Sequence, residues 1–337
     1  MLYFKKNKLN FLFLLIFVLS LLFSYSTVSA EWSPLIKSQK KNWRGITTSA
    51  DGNKVFAVVY DGYIHTSNDG GANWVERTSA GKRNWWHIDT TADGNKIIAG
   101  SVTSDYLYVS NNAGVTWTPL YSFGIKKWLN VEYTDDGNKI MAISDKDIYI
   151  SEDGGNTFKQ YPYTTGPVVT TDINSSYDGN KVVISVYYDY IYTSDDGGIN
   201  WTKRTSAGQR NWNQVTVSSN GNQIVATSSQ IPGTGSGGDY VYISTNGGTT
   251  WTPTILEKKF WMYTSSSSDG QKLVAIPNGV SSSSSGGGNS NHSDYAGASW
   301  YQYPLSLEWR GISMSGNGNV IYASTYSNYI YKYEIFT

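Results

Sequence analysis

A turn of the form Asp-Gly-Asn stands at Asp51-Gly52-Asn53 and returns, with small changes, at Asp93, Asp136, Asp178, Asn220, Asp269 and Asn317. The steps between copies are 42 to 49 residues. Eight residues before each copy stands a tryptophan (Trp43, Trp85, Trp128, Trp212, Trp261, Trp309); only the fourth unit differs, with Thr170 in that place. A period of this length kept along a chain means that each unit is one supersecondary module, able to bury its faces only against its neighbours.

Each unit reads as four short strands. The first runs from the tryptophan, as in Trp43-Arg44-Gly45-Ile46. The second follows the Asp-Gly-Asn turn, from Lys54 to Val59 in the first unit. The third is an alternation such as Tyr63 to Thr66. It leads into a second turn and then a fourth strand, Val75-Glu76-Arg77. Period-2 segments broken by Gly, Asn and Asp are antiparallel strands, not helices. Four strands repeated seven times predict an all-β chain, a seven-bladed β-propeller of four-stranded antiparallel blades.

The second turn is the most regular stretch: SNDGGANW (67–74), SNNAGVTW (110–117), SEDGGNTF (151–158), SDDGGINW (194–201) and STNGGTTW (244–251), with a worn copy, SDYAGASW, at 293–300. Asp or Asn accepts from backbone N–H groups ahead of it, and the Gly pair supplies φ > 0. These octapeptides resemble the Asp-box, or BNR, repeat of sialidase-like propellers. The resemblance implies that Asp69, Asn112, Asp153, Asp196 and Asn246 are structural, on turns lying away from the face that works.

The seventh unit stops after Tyr329-Ile330-Tyr331-Lys332-Tyr333, without its second turn or fourth strand. Trp32-Ser33-Pro34-Leu35-Ile36 has the character of the missing strand and precedes Lys40-Lys41-Asn42-Trp43, as Trp74-Val75-Glu76-Arg77 precedes Lys82-Arg83-Asn84-Trp85. An open ring would bare an unpaired edge. The N-terminal strand is therefore expected to complete the last blade.

Residues 1–30 read as a secretory signal peptide: Lys5, Lys6 and Lys8, an apolar run from Phe11 to Phe23, then Val28-Ser29-Ala30. An uncleaved anchor is the alternative, although that run is short for a span of ~20 residues. Residues 31–337 are expected as one propeller domain, secreted or at the cell surface and monomeric. The chain has no cysteine, so the exported fold must hold without disulfides. Its 26 Lys and Arg balance 26 Asp and Glu, and three of the cations fall in the leader. That balance excludes the basic footprint of a nucleic-acid binder. Asn174, Asn200 and Asn291 fit the glycosylation acceptor pattern. The stretches Gln230 to Gly238 and Ser281 to Asn291 are expected to be insertions, the latter a flexible surface loop.

The turns after the first and third strands share one face. On the other face lie the connections between units, which are basic: Lys37, Lys40 and Lys41, Lys82 and Arg83, Lys126 and Lys127, Arg210, Lys258 and Lys259. Two readings stand open. The face is a platform for an anionic or carbohydrate ligand, with cations fixing charge and rings stacking on sugars. Alternatively the bases pair with Asp61, Asp105, Asp145, Asp147, Asp189 and Asp239 of neighbouring turns, worth ~0–1 kcal/mol each and implying no ligand. Units also differ just after the tryptophan: Arg44, Trp86 and His87, Asn130, Thr171 and Asp172, Asn213 and Gln214, Tyr263, and Arg310. The candidate ligand residues are Arg44, Lys82, Arg83, Trp86, His87, Asp172 and Arg310, with Arg44 and Arg310 neighbours once the ring closes.

The sialidase resemblance raises hydrolysis as a candidate. Arg44 is followed by Gly45-Ile46 rather than the Ile-Pro of that family's first arginine, and the few glutamates leave no acid pair to assign. His65, His87 and His292 fall in different units without metal-ligand spacing. No catalytic residue, metal ligand or cofactor is assigned. The expectation is a non-catalytic binding propeller for a glycan or anionic ligand, with a protein-binding adaptor as the alternative and a sialidase-like hydrolase behind it. Partners would be a glycan or an extracellular protein, with no nucleic acid and no membrane beyond the leader.

Overall fold

A computed structural model describes residues 31–144, 147–161, 169–232, 237–278 and 288–335. Residues 1–30, expected above to be a leader, lie outside them, as does Asp145. The described strands form seven four-stranded antiparallel sheets. In blade 1 these are Trp43–Thr48, Val55–Val59, Ile64–Ser67 and Val75–Arg77, innermost to outermost. Among the described residues no helix is long and apolar enough to cross a membrane.

Blade 7 takes three strands from the end of the chain, Trp309–Met314, Val320–Thr325 and Ile330–Glu334, and its outer strand from the beginning, Ser33–Leu35. Ser33 pairs with Lys332, Pro34 with Tyr331 and Leu35 with Ile330. The predicted closure is present. Three ladder pairs are a weak clasp by themselves, and the side chain before them reinforces it. Trp32 packs on Trp309, Tyr333 and His292, and its Nε1 donates to Ser290 Oγ at 2.7 Å.

The repeated tryptophans fill the gaps between blades. Trp85 of blade 2 sits among Phe56, Val58 and Ile64 of blade 1, and Trp43 of blade 1 among Tyr322 and Ile330 of blade 7. Blade 4, with Thr170, closes the same gap through Ile173, Val182 and Ile184 against Met141 and Ile143.

The turns behave as their residues require. Gly71 N donates to Ser67 Oγ, Ser67 Oγ to Asp69, Asn73 N to Asp69 Oδ1 at 2.8 Å, and Trp74 Nε1 to Gly71 O at 3.0 Å. Asn112, Asp153, Asp196 and Asn246 accept from the backbone in the same way. Gly70 N reaches Asn53 O, so both kinds of turn share one face. The lysine after the Asp-Gly-Asn turn links blades: Lys54 Nζ donates to Asp93 O and Lys96 Nζ to Gly137 O.

Two expectations need correction in blade 6. The first part of the tract 281–291 lies outside the described residues. Its end is not loop but the third strand, Gly288–Ser293. Gly-Asn-Ser carries no hydrophobic alternation to reveal a strand. It is held by pairing of Ala275 to Leu273 with Asn291 to Ser293, and by Trp309 Nε1 donating to Gly288 O. Asn291 is consequently buried and unfit as a glycosylation acceptor, whereas Asn200 is exposed. The insertion at 230–238 lies partly outside the described residues.

Candidate functional site

The face opposite the Asp-boxes is built where the turn between second and third strands meets the connection leaving the blade. Gly62 bridges to Arg83, Asp105 to Lys126, Asp189 to Arg210 and Asp239 to Lys259. Each bridge joins a turn to the connection that follows, so these two loops form the rim of one face. At its centre the seven inner strands surround a pocket of about 330 Å³.

The inner-strand positions that differ between units are the ones that line it: Arg44, Trp86 and His87, Asn130, Thr171 and Asp172, Asn213 and Gln214, Tyr263 and Arg310. Of the candidate ligand residues, the structure brings together Arg44, Trp86, His87, Asp172 and Arg310. Lys82 and Arg83 do not reach the pocket. Lys82 pairs with Asp61 at 3.2 Å, and Arg83 pairs with Asp105 at 2.6 Å and lies over the Tyr108 ring. Arg210 pairs likewise with Asp239. At these rim positions the bases and acids of adjacent loops neutralise one another.

Much of the inner wall is structural. An inner strand has no ladder partner on its channel side, so its N–H groups need other acceptors. Side chains of the preceding blade supply them. Asp89 Oδ2 accepts from Tyr133 N, Asp172 Oδ2 from Val215 N, Asn174 Oδ1 from Val217 N, and Gln214 Oε1 from Thr264 N. Ser265 Oγ and Ser313 Oγ accept from Met314 N and Thr48 N. Asp172 is bonded at its other oxygen by the Asn130 amide, and His87 Nδ1 by Val131 O at 3.2 Å. Both candidates therefore brace the ring.

Arg44 and Arg310 are different. The inner strands of blades 1 and 7 read Trp-Arg-Gly-Ile, and the glycines allow a close approach. A methyl group on Gly311 would stand 2.9 Å from Arg44 O, and one on Gly45 3.0 Å from Trp86 O. The Arg44 guanidinium lies 4.5 Å from the Trp86 ring centre and 5.3 Å from that of Tyr60. Its Nε is buried without a hydrogen-bond partner. Arg310 pairs with Glu308, just before its own strand, and lies over Tyr326. Burial, then the Arg310 charge, holds the Arg44 pKa below its usual value. Two cations held beside one another in a concave, partly apolar site favour an anion between them.

Sequence reasoning did not place Tyr60 and Tyr326 at this site. They lie in turns between second and third strands, where a lone tyrosine carries no periodic signal. Around the same rim Tyr187, Tyr188 and Phe260 are exposed. Among the described residues no three His, Asp or Glu side chains come together to hold a metal ion.

The family model of the BNR/Asp-box repeat matches residues 192–203 and 242–253. No curated protein sequence matches the chain. Among solved structures it is similar to the GH74 xyloglucanase from Xanthomonas campestris, with TM-score 0.69 and 11% identity over 90% of this chain. It spans 53% of that enzyme's length. It is also similar to YCF48 from Cyanidioschyzon merolae, with TM-score 0.67 and 15% identity over 90% of this chain and 99% of the other. A structure of YCF48 bound to D1 peptide aligns with TM-score 0.66 and 13% identity, over 93% and 97%. At these identities the likeness is one of fold.

Proposed function

We propose that this chain is an exported, non-catalytic binding propeller that takes an anionic group of a glycan at the centre of the face opposite the Asp-boxes. One observation carries the reading: Arg44 and Arg310, on adjoining inner strands, line the same pocket, and Arg44 lies against the rings of Tyr60 and Trp86 with its Nε unpartnered. Charge-assisted bonds from a guanidinium contribute about 1.5–3 kcal/mol where water is excluded. Trp86, 36% exposed, offers a plane for a sugar ring. Hydrolysis is not part of the reading. Asp172 is the one acid among the described residues lining the pocket, and both its oxygens are bonded. Hydrolysis of the common kind needs two carboxyl groups across the scissile bond.

A second reading, an acidic protein segment as ligand, is favoured by the exposed rings of Tyr187, Tyr188, Phe260 and Tyr326 around the same mouth. Propellers of similar fold include a xyloglucanase and a YCF48 bound to D1 peptide. An array of acidic glycans beside acidic peptides separates the two. Binding of a glycan that falls ~10-fold or more in Arg44→Ala/Arg310→Ala supports the first reading. Glycan binding left intact by that double variant overturns it.

A further inference from the structure

The pocket that holds Arg44 and Arg310 has an acid in its opposite wall. Asp172, on blade 4, lines it across the channel from blades 7 and 1. Below, toward the Asp-box face, lies a second, smaller well of about 150 Å³ walled by Asp89, Glu132 and Asp135 among hydroxyl side chains. Asp89, Glu132 and Asp172 stand on the consecutive inner strands of blades 2, 3 and 4. Each is held by neutral donors: Asp89 by Thr47 and Tyr133 N, Glu132 by Ser175, Asp172 by Asn130 and Val215 N. Glu132 Oε2 is buried with no partner, and so is Asn130 Oδ1.

The groups facing these acids are few. From blade 2 comes His87, from blade 3 Asp135, and from blade 6 Tyr263. The facing cations are Arg44 and Arg310 at the mouth, the second already paired with Glu308. Four carboxyl groups, those of Asp89, Glu132, Asp135 and Asp172, thus share one channel, and no basic side chain lines the well that the first three wall. A buried carboxylate without a counter-charge is costly, and the common remedy is a proton.

Resting on the binding reading above, we infer that the mouth takes up its anion together with protons, which the channel acids of blades 2 to 4 accept as the anion docks. An ionised acid and an anion docked in the same narrow channel repel one another, so each disfavours the other. The acids are poised for this exchange near neutral pH. Burial pushes Asp89 and Asp172 up to about 7 and Asp135 to about 6, and Glu132 well above the usual carboxylate range. His87, pushed down to about 4 by burial, stays neutral over the same interval.

Titration calorimetry with a heparin-derived tetrasaccharide, whose sulfates remain ionised throughout, reads the exchange directly. Run at pH 6 to 8.5 in buffers of different ionisation enthalpy, it gives both affinity and the number of protons taken up. Affinity is expected to fall about 10-fold or more across the range, with net proton uptake at pH 7.5; one linked proton allows at most ~10-fold per pH unit. Asp172→Asn preserves the acceptor for Val215 N, and a turn of the Asn130 amide brings its free Oδ1 to the new NH₂ group. This variant is expected to take up fewer protons and to bind at pH 8.5 more tightly than the parent. Glu132→Gln is expected to act in the same direction, and the parent's own proton count decides if either variant fails to fold. Constant affinity with no proton uptake, while Arg44→Ala/Arg310→Ala still abolishes binding, overturns the coupling and leaves the binding site standing. No binding at any pH, or binding indifferent to the arginines, overturns both.

Discussion

The guanidinium of Arg44 lies 4.5 Å from the centre of the Trp86 ring, one residue past the repeated tryptophan of the next blade. A planar cation on an aromatic face is both attracted and oriented, and lysine does not reproduce that geometry. Arg44→Lys keeps the charge and loses the stack and the fork. Binding of the anionic probe is expected to weaken about 3- to 10-fold with the melting temperature nearly unchanged. Equal binding by Arg44→Lys and parent would show that charge alone acts there.

Gly311 approaches Arg44 O so closely that an added methyl would stand at 2.9 Å from it and 3.0 Å from Ser324 Oγ. The first obstacle is backbone and cannot swing aside. Gly311→Ala is expected to destabilise by about 1–3 kcal/mol, the usual range for overpacking, and to weaken ligand binding by displacing Arg44. Denaturant melts check the first and calorimetry the second.

The Asp-boxes should matter for stability alone. Asp196 accepts from Ser194 Oγ, Asn200 N and the Asn200 amide, on the face away from the pocket. Asp196→Ala is expected to lower the melting temperature by a few degrees, given ~0.5–1.5 kcal/mol per hydrogen bond, and to leave affinity at 20 °C unchanged. A stable variant that loses binding would place the working face at the Asp-boxes.

Ring closure depends on Trp32. The side chain is 9% exposed and packs on Trp309, Tyr333 and His292. Trp32→Ala removes that contact and the bond to Ser290 Oγ, so a loss of about 3–5 kcal/mol is expected, as for other large-to-small core changes. Faster hydrogen exchange should appear first in Ile330–Glu334. Unchanged exchange there would mean that the three ladder pairs suffice.

Stability should also depend on pH in a predictable sense. Asp89 and Asp172 are raised to about 7, chiefly by burial, so their contribution is complete below about 4, the unfolded value, and is lost as pH rises through about 7. Asp153 and Asp196 are lowered to about 2, chiefly by hydrogen bonds from Thr157 and Asn200. Their contribution is present above about 4 and is lost as pH falls toward 2. The denaturation midpoint is expected to be highest near pH 4 to 5 and to fall as pH rises toward 7 and beyond. A midpoint rising steadily from pH 5 to 8.5 would contradict the assignment of neutral acids in the channel.

Fold and face were legible in the chain because they rest on local, repeated chemistry. Asp51-Gly52-Asn53 and Ser67 to Trp74 make their hydrogen bonds within a few residues, so the sequence alone names the turn, and recurrence counts the blades. The split blade was legible for the same reason: the piece missing after Tyr333 stands at Trp32 to Ile36. A third strand without alternation, Gly288–Ser293, was not, because only its partners define it.

The site divided along the same line. That Arg44, Trp86, His87, Asp172 and Arg310 would share a channel followed from their common position in the repeat. Which of them remain free did not, because that is settled by partners on other strands and loops, from about half a repeat to a full repeat away. Asp172 is taken by Val215 N of the next blade and Asn130 of the one before; Arg83 is taken by Asp105, 22 residues on. Arg44 keeps its unpartnered Nε beside the rings of Tyr60 and Trp86, which offer it no acceptor atom in the ring faces. Periodicity assigns each residue its place on the ring, but only tertiary contact decides which charges are already neutralised by a neighbouring blade and which still need a partner.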